Sequence, residues 1–283
     1  MEKLSLLCNA KINLTLDITS KKANGYHNID SIMQSVSIAD KIEVVKDSKI
    51  SVSCSKKELS GENNIAFKAA KAFFDFTGIA GGASIYIEKR IPDAAGMGGG
   101  SADAAGVITA LDKIYRTTLS NEQLCLIAKS VGADVPFCLF GGTKRVKGIG
   151  EVLIDCPKFS GGALLIIKVS NKLSTADMYK KLDQIGAKTP NTENFVKLLN
   201  GATLEQIATN LSNDFEAVCD IKYEKDLLLQ NGALGVGLTG SGPSVFGIFK
   251  NERDAKLAQQ KIKDQCVFAE IAVLQEKAII INI

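Results

Sequence analysis

The glycine cluster at Ala94–Ser101 constrains the fold of this chain more than any other feature of its sequence. Four of the five residues from 96 to 100 are glycine. A strand-like segment, Ala83–Ile87, precedes the cluster, and a long apolar helical pattern, Ala102–Tyr115, follows it. This arrangement gathers backbone N–H groups and the positive end of a helix around one concavity. Because so many glycines cost much conformational entropy, a phosphate-binding loop is favoured over a ligand-free turn.

The cluster differs from two common phosphate-binding motifs. No G-x-x-x-x-G-K-[ST] sequence occurs, and the third glycine of G-x-G-x-x-G is replaced by Ser101. The Ser101 hydroxyl is a candidate ligand for a phosphate oxygen or for its Mg²⁺. Either Ser101 or Asp103 is also a candidate cap for the helix.

Composition excludes several classes of protein. The formal net charge is +3, no run of five or six like charges occurs, and tryptophan is absent, so a nucleic-acid partner is not expected. The single histidine, His27, excludes a multi-histidine metal centre, and no G-x-S-x-G elbow accompanies it. Seven cysteines without C-x-x-C spacing indicate reduced thiols in a cytoplasmic protein. No apolar stretch reaches the length of a membrane span.

Hydrophobic periodicity predicts strands and helices along the whole chain. Residues 6–17 alternate in polarity, as in a half-buried strand, and Lys11 lies on the polar face, where a lysine is usually solvated. Further strands are predicted at 41–45, 83–87, 164–169, 234–238, 244–249 and 268–274. Helices are predicted at 64–76, 102–115, 121–130, 175–184, 193–199, 203–209, 223–229 and 252–264. Leu164–Val169 is interpreted as an apolar run, typical of a strand buried on both faces.

Three other features each allow two interpretations. Asp134, flanked by apolar residues, is either a structural cap before Pro136 or a catalytic base beside a cation. Tyr26-His27 is either a packed aromatic with a surface histidine or part of a base-binding site. The glycines of Gly235–Ser244 form either a hairpin turn or a second backbone nest for phosphates.

Taken together, these features resemble the ordered motifs of the GHMP kinase superfamily over nearly the whole chain. The matching segments are Ala10-Lys11-Ile12-Asn13-Leu14, Gly25-Tyr26-His27, Pro92–Ala102 with Asp103-Ala104-Ala105, Gly132–Phe137, Asn213–Glu216 and Thr239–Gly242. The resemblance implies an ATP- and Mg²⁺-dependent kinase. Within the superfamily it implies a small-molecule acceptor, a cytidine-diphosphate-linked methylerythritol.

The resemblance also implies roles for individual residues. Lys11 and Asp134 are the implied catalytic pair. The implied ATP-binding residues are Asn64, Pro92, Asp93, Ala94, Ala95, Gly96, Met97, Gly98, Gly99, Gly100, Ser101 and Ala102. The implied substrate-binding residues are Asn13, Tyr26, His27, Thr175, Tyr179, Gly240 and Ser241. Ala102 stands where the superfamily commonly has a second serine, which removes one hydroxyl from the loop.

The fold implied by the resemblance has two α/β domains with ligands in the cleft between them. The N-terminal α/β domain, residues 1–159, is expected to contain a left-handed crossover, and the C-terminal domain, residues 160–283, is expected to be ferredoxin-like. Three alternatives remain open: a GHMP kinase acting on homoserine or mevalonate, a non-catalytic nucleotide-binding homologue, and a dinucleotide-dependent oxidoreductase.

Overall fold

The computed structural model describes residues 2–169, 175–185 and 190–282, which form a mixed α/β structure. The strands are β1 (Lys3–Lys21), β2 (His27–Asp47), β3 (Ser51–Cys54), β4 (Gly82–Glu88), β5 (Thr143–Gly148), β6 (Val152–Asp155), β7 (Ala163–Lys168), β8 (Ser212–Asn213), β9 (Gly235–Leu238), β10 (Val245–Phe249), β11 (Phe268–Ala272), β12 (Leu274–Gln275) and β13 (Ile279–Asn282). The helices are α1 (Ile65–Thr77), α2 (Gly99–Tyr115), α3 (Asn121–Val131), α4 (Val135–Phe140), α5 (Thr175–Ile185), α6 (Thr192–Leu198), α7 (Leu204–Ala208), α8 (Lys222–Gln230) and α9 (Glu252–Ile262). The predicted mixed α/β fold is confirmed.

The larger sheet is built around the long antiparallel pair β1 and β2. Its strand order is β13-β1-β2-β4-β3, with β5 and β12 also paired to β2, β6 to β5, and β8 to β1. Helix α2 packs on β1 and β2, and α1 packs on α2. This packing buries the apolar face of β1, as its alternating sequence predicts.

The polar face of β1 is also buried, so the prediction of a half-buried strand with a solvated Lys11 is wrong. Asn9, Lys11 and Asn13 are each no more than 3% exposed. The C-terminal half of the chain covers this face: the side chain of Asn9 donates a hydrogen bond to Lys277 O (2.8 Å). Periodicity within β1 cannot reveal that residues from the C-terminal half of the chain bury its polar face.

The smaller sheet has the strand order β11-β7-β10-β9, with all neighbours antiparallel. Helix α8 packs against β9 and β10, and α9 packs against β7 and β11. With α5, α6, α7 and β8 inserted between β7 and α8, the order β7-α8-β9-β10-α9-β11 is the ferredoxin-like arrangement expected for the C-terminal half. The left-handed crossover and the boundary after Phe159 stay predictions. Strands β12 and β13 return to the larger sheet, where they pair with β2 and β1.

Local capping explains where several helices begin and end. The Asn64 side chain accepts a hydrogen bond from Ala66 N at the start of α1, and Gly78 ends that helix in the left-handed region (φ 68°). Ser120 and Gln123 form the predicted capping box of α3. Helix α2 begins at Gly99 rather than Ala102, so neither Ser101 nor Asp103 caps it, contrary to prediction.

The described residues show the bonding state of the cysteines and whether a helix could cross a membrane. The seven cysteines are free thiols. Within the described ranges, none of the helices combines the length and apolarity that crossing a membrane requires.

Candidate active site

The structure brings Lys11 and Asp134 together from two elements. Strand β1 carries Lys11, and Asp134 immediately precedes α4. Lys11 Nζ lies 3.9 Å from Asp134 Oδ2 and donates a hydrogen bond to Asn13 Oδ1 (2.7 Å). The Lys11 side chain is 4% exposed and that of Asp134 is 32% exposed. One member of the pair is therefore buried, and the other is accessible to a ligand.

Asp134 occupies the cap position of α4, but its side chain makes no capping hydrogen bond. Val135 is the first helical residue and Pro136 lies in the first turn, where proline is tolerated because its missing N–H has no partner there. The carboxylate is therefore left to face Lys11. Burial of the Tyr179 phenol, and secondarily the negative charge of Asp134, raise the pKa of Tyr179 to about 12. Asp134 and Tyr179 thus share one electrostatic environment.

The first glycine loop (Pro92–Ala102) runs directly beside Lys11. The backbone N–H of Lys11 donates a hydrogen bond to Met97 O (3.0 Å). Gly98 has φ 70°, and a Cβ there would lie 3.1 Å from Lys11 Cγ. Glycine at this position therefore satisfies both the backbone conformation and the close approach of the lysine.

A cleft of about 270 Å³ follows the first glycine loop at the N-terminus of α2, and is called the loop cleft here. Its lining consists of Ile65, Lys89, Pro92, Asp93, Ala94, Ala95, Gly96, Met97, Gly98, Gly99, Gly100 and Ser101. Ala102 is buried. The Asn64 side chain caps α1 and also donates to Leu59 O (2.7 Å). The cleft thus combines backbone groups and a helix N-terminus, as an anion site requires.

A buried charge cluster supports the floor of the loop cleft. Lys89 Nζ contacts the carboxylates of Asp40 and, at 2.8 Å, Asp103. Burial lowers the pKa of Lys89, but Asp103 and Asp40 outweigh this effect and raise the pKa to about 12. Burial and the neighbouring Asp40 raise the pKa of Asp103 well above its usual value, despite the opposing effect of Lys89. Lys89 is therefore a permanent cation beneath the glycines.

The turn between β9 and β10 (Thr239–Ser244), called the second glycine loop here, touches the first. It joins two paired strands, so the hairpin interpretation is correct. It also makes cross-chain contacts: Thr239 Oγ1 donates to Gly96 O (3.1 Å), and Gly240 N donates to Asn13 Oδ1 (2.9 Å). The C-terminal half thereby closes over the first glycine loop and over β1.

A second, larger cavity of about 580 Å³ opens in front of these loops, and is called the acceptor cavity here. Its lining includes Lys11, Asn13, Ala94, Gly96, Gly98, Asp134, Lys168, Thr175, Gly240 and Ser241, with an apolar side formed by Leu16, Ile29, Met33, Ile149, Tyr179 and Phe215. It therefore combines the Lys11–Asp134 pair with five of the predicted substrate residues. Thr175 and Ser241 are hydrogen-bonded to each other across the cavity (2.9 Å).

Neither residue of the predicted Tyr26-His27 pair is among the described residues that line the acceptor cavity, but His27 packs against Tyr179, which does line it. The His27 ring stacks on that of Tyr179, with centroids 4.5 Å apart and an interplanar angle of 15°. Its Nε2 lies 2.7 Å from Asp183 Oδ1. Tyr26 is 59% exposed, and it is not among the described residues that line the acceptor cavity.

Residue-by-residue reasoning missed two polar side chains near the cavity. Lys168 lies within a run interpreted as apolar, although a charge that interrupts such a run is itself a signal of a functional residue. Asp183, which pairs with His27 and Lys21, lies on an ordinary polar helix face and carried no signal.

The described residues contain no group of three or more His, Cys, Asp or Glu side chains suited to a metal ion. The side-chain oxygens that line the loop cleft are the Ser101 hydroxyl and the carboxylate of Asp93, which pairs with Lys56. This set fits a Mg²⁺ that is bound mainly through substrate phosphates, the usual mode for this ion.

Comparison with known proteins agrees with this geometry. Two family models match the chain, GHMP kinases N terminal domain over residues 64–142 and GHMP kinases C terminal over residues 195–267. A protein of Acetivibrio thermocellus named 4-diphosphocytidyl-2-C-methyl-D-erythritol kinase is 42% identical over 93% of this chain and 96% of that protein. A protein of the same name from Caldanaerobacter subterraneus subsp. tengcongensis is 41% identical over 98% and 99%.

Solved structures show the same architecture. A 4-(cytidine 5'-diphospho)-2C-methyl-D-erythritol kinase superposes with a TM-score of 0.79 at 26% identity, over 95% of this chain and 98% of that one. Homoserine kinase from Cytophaga hutchinsonii superposes with a TM-score of 0.75 at 17% identity, over 100% and 98%. At that identity the second likeness shows the fold alone.

Proposed function

The chain belongs to the GHMP kinase family, and on that premise we propose that it transfers the γ-phosphoryl group of ATP to the 2-hydroxyl of 4-diphosphocytidyl-2-C-methyl-D-erythritol. The resemblance inferred from the motifs is confirmed, and the chain is an ATP-dependent small-molecule kinase. The reaction would be a step in non-mevalonate isoprenoid biosynthesis.

The meeting of Lys11 and Asp134 is the observation that carries the proposal. The two residues lie 123 positions apart, yet their charged atoms are separated by 3.9 Å. They line the acceptor cavity together with Gly96 and Gly98 of the first glycine loop. A base, a cation and a phosphate cradle at one point form the set that phosphoryl transfer requires, because this reaction depends mainly on alignment and electrostatic stabilisation.

In the proposed mechanism, Asp134 accepts the proton of the acceptor hydroxyl as its oxygen attacks the γ-phosphorus. Lys11, whose Nζ lies 3.9 Å from Asp134 Oδ2, stabilises the negative charge that develops on the transferred group. The first glycine loop and the N-terminus of α2 bind the β- and γ-phosphates. Ser101 lines the loop cleft and would help to hold a Mg²⁺ ion bound with ATP, which would neutralise phosphate charge there.

The aromatic end of the acceptor cavity is proposed to select the cytosine. Tyr179 stacks on His27, and Phe215 meets Tyr179 edge-on with centroids 4.8 Å apart. A hydrogen bond between His27 Nε2 and Asp183 Oδ1 (2.7 Å) fixes the orientation of the His27 ring. Tyr26, His27 and Tyr179 would then supply stacking and hydrogen bonds to the base, which act on substrate affinity rather than on rate.

His27→Ala should raise the KM for the cytidyl substrate about tenfold, because the variant loses one ring contact and one hydrogen bond to the base. The kcat and the KM for ATP should change little, since His27 lies outside the loop cleft. Steady-state kinetics with each substrate varied in turn measure both constants. An unchanged KM for the cytidyl substrate would reject the base-reading role.

Acceptor preference distinguishes the proposed function from a homoserine or mevalonate kinase and from a homologue without catalytic activity. The acceptor-dependent release of ADP should be fast with 4-diphosphocytidyl-2-C-methyl-D-erythritol and near background with homoserine and mevalonate. Rapid turnover of homoserine or mevalonate instead would overturn the proposed substrate. ATP binding without ADP release for any acceptor would indicate a non-catalytic protein. The cytoplasmic location and the lack of a nucleic-acid partner stay predictions.

A further inference from the structure

Lys168 is a buried cation to which the proposed mechanism gives no role. It is the last residue of β7, and the preceding residues, Ala163–Ile167, are all apolar and buried. Lys168 is itself 8% exposed. Its Nζ donates a hydrogen bond to the carbonyl oxygen of Asp93 (3.1 Å), at the start of the first glycine loop.

That carbonyl is the one partner of the Lys168 ammonium among the described residues. An ammonium group has three N–H donors, and a buried charge without a counter-ion is costly. The neighbouring lysines differ in this respect, because Lys11 faces Asp134 and Lys89 faces two carboxylates. Within the part of the chain that the structure describes, Lys168 is therefore buried without a carboxylate partner, as expected for a side chain whose counter-ion arrives with a ligand.

The position of Lys168 indicates which ligand supplies that anion. Lys168 lines the acceptor cavity, together with Lys11, Gly96 and Thr175. The described residues that line the loop cleft do not include it. Its ammonium therefore faces the space in front of the first glycine loop rather than the proposed site of the ATP phosphates.

We propose that Lys168 binds the diphosphate group of the acceptor substrate in the acceptor cavity. The inference rests on the proposed function, in which the acceptor carries a cytidine diphosphate. One ammonium contact to phosphate positions the acceptor between the aromatic cytosine site and the Lys11–Asp134 pair. The phosphates of ATP offer the same chemistry, so the test separates the two sources.

Calorimetric titrations with cytidine 5′-diphosphate, cytidine and ADP test the proposal. Lys168→Met removes the charge but keeps an unbranched side chain, and should weaken cytidine diphosphate binding about tenfold to a hundredfold, the effect of a hydrogen bond to a charged group. The affinities for cytidine and ADP should stay unchanged. Lys168→Arg should recover most of the lost affinity. Lys250→Met, an exposed lysine change in the same half of the chain, should alter none of them.

The titrations distinguish between a contact of Lys168 with the acceptor diphosphate, a contact with ATP and a structural role. Unchanged affinities for both diphosphates in Lys168→Met would overturn the proposal, and weaker ADP binding alone would move the contact to ATP. Equal losses for cytidine and cytidine diphosphate would indicate a structural role and also overturn it. If Lys168→Met does not fold, the same titrations with Lys168→Gln decide the question. Failure of the wild-type protein to bind cytidine diphosphate would count against the proposed function, and titration with inorganic pyrophosphate would then test Lys168 alone.

Discussion

Replacing Asp134 by asparagine should lower kcat by about a hundredfold or more, the usual contribution of a positioned general base. The amide keeps the shape of the side chain but cannot accept the hydroxyl proton at neutral pH. Lys11 should keep its place, because it also donates to Asn13 Oδ1 (2.7 Å). The loss therefore falls on the chemical step and not on the architecture of the site.

The affinity for ATP should be nearly unchanged in Asp134→Asn, because Asp134 lines the acceptor cavity and not the loop cleft. Titration with a non-hydrolysable ATP analogue measures this affinity, and single-turnover kinetics measure the chemical step. Asp155→Asn is a matched control, since the Asp155 side chain is 91% exposed, and it should keep normal kcat. A near-normal kcat in Asp134→Asn would remove Asp134 from the mechanism.

Local sequence signals predict most of the helices, because the residues that begin and end a helix lie next to it in the sequence. Asn64 and Gly78 begin and end α1, and Ser120 with Gln123 begins α3. These interactions span only a few residues, so the sequence contains them directly. Strand β5, by contrast, was missed, because its sequence lacks the alternating apolar residues that indicate a strand.

The burial of Lys11 shows what local patterns cannot reveal. The polar face of β1 is covered by the second glycine loop, where Asn13 N donates a hydrogen bond to Thr239 Oγ1, 226 residues away (3.3 Å). Periodicity reports only how one strand alternates, so it predicted solvent where the C-terminal half lies. The resemblance to GHMP kinases implies that Lys11 and Asp134 act as a pair, and the fold brings the two residues together.

The contact between the two glycine loops leads to the second large effect. Gly96 has φ 75°, a conformation that favours glycine, and a Cβ added there would overlap the carbonyl oxygen of Thr239. Gly240 is also tightly packed from the other side, because a Cβ on Gly240 would lie 2.8 Å from Gly96 O. The atoms nearest to each added Cβ belong to the backbone, so no side chain can rotate away to make room for it.

Gly96→Ala should therefore move the first glycine loop away from the second, and kcat/KM for ATP should fall about a hundredfold, the cost of misplacing reacting groups by about 1 Å. Gly161→Ala separates the clash from backbone strain, since Gly161 also has a positive φ of 88° but no atom within 4 Å of an added Cβ. The control should lose some thermal stability and keep its kinetics. Equal kinetic losses in both variants would mean that strain alone matters, and wild-type kinetics in Gly96→Ala would show that the closure of the two loops is not needed to bind ATP productively.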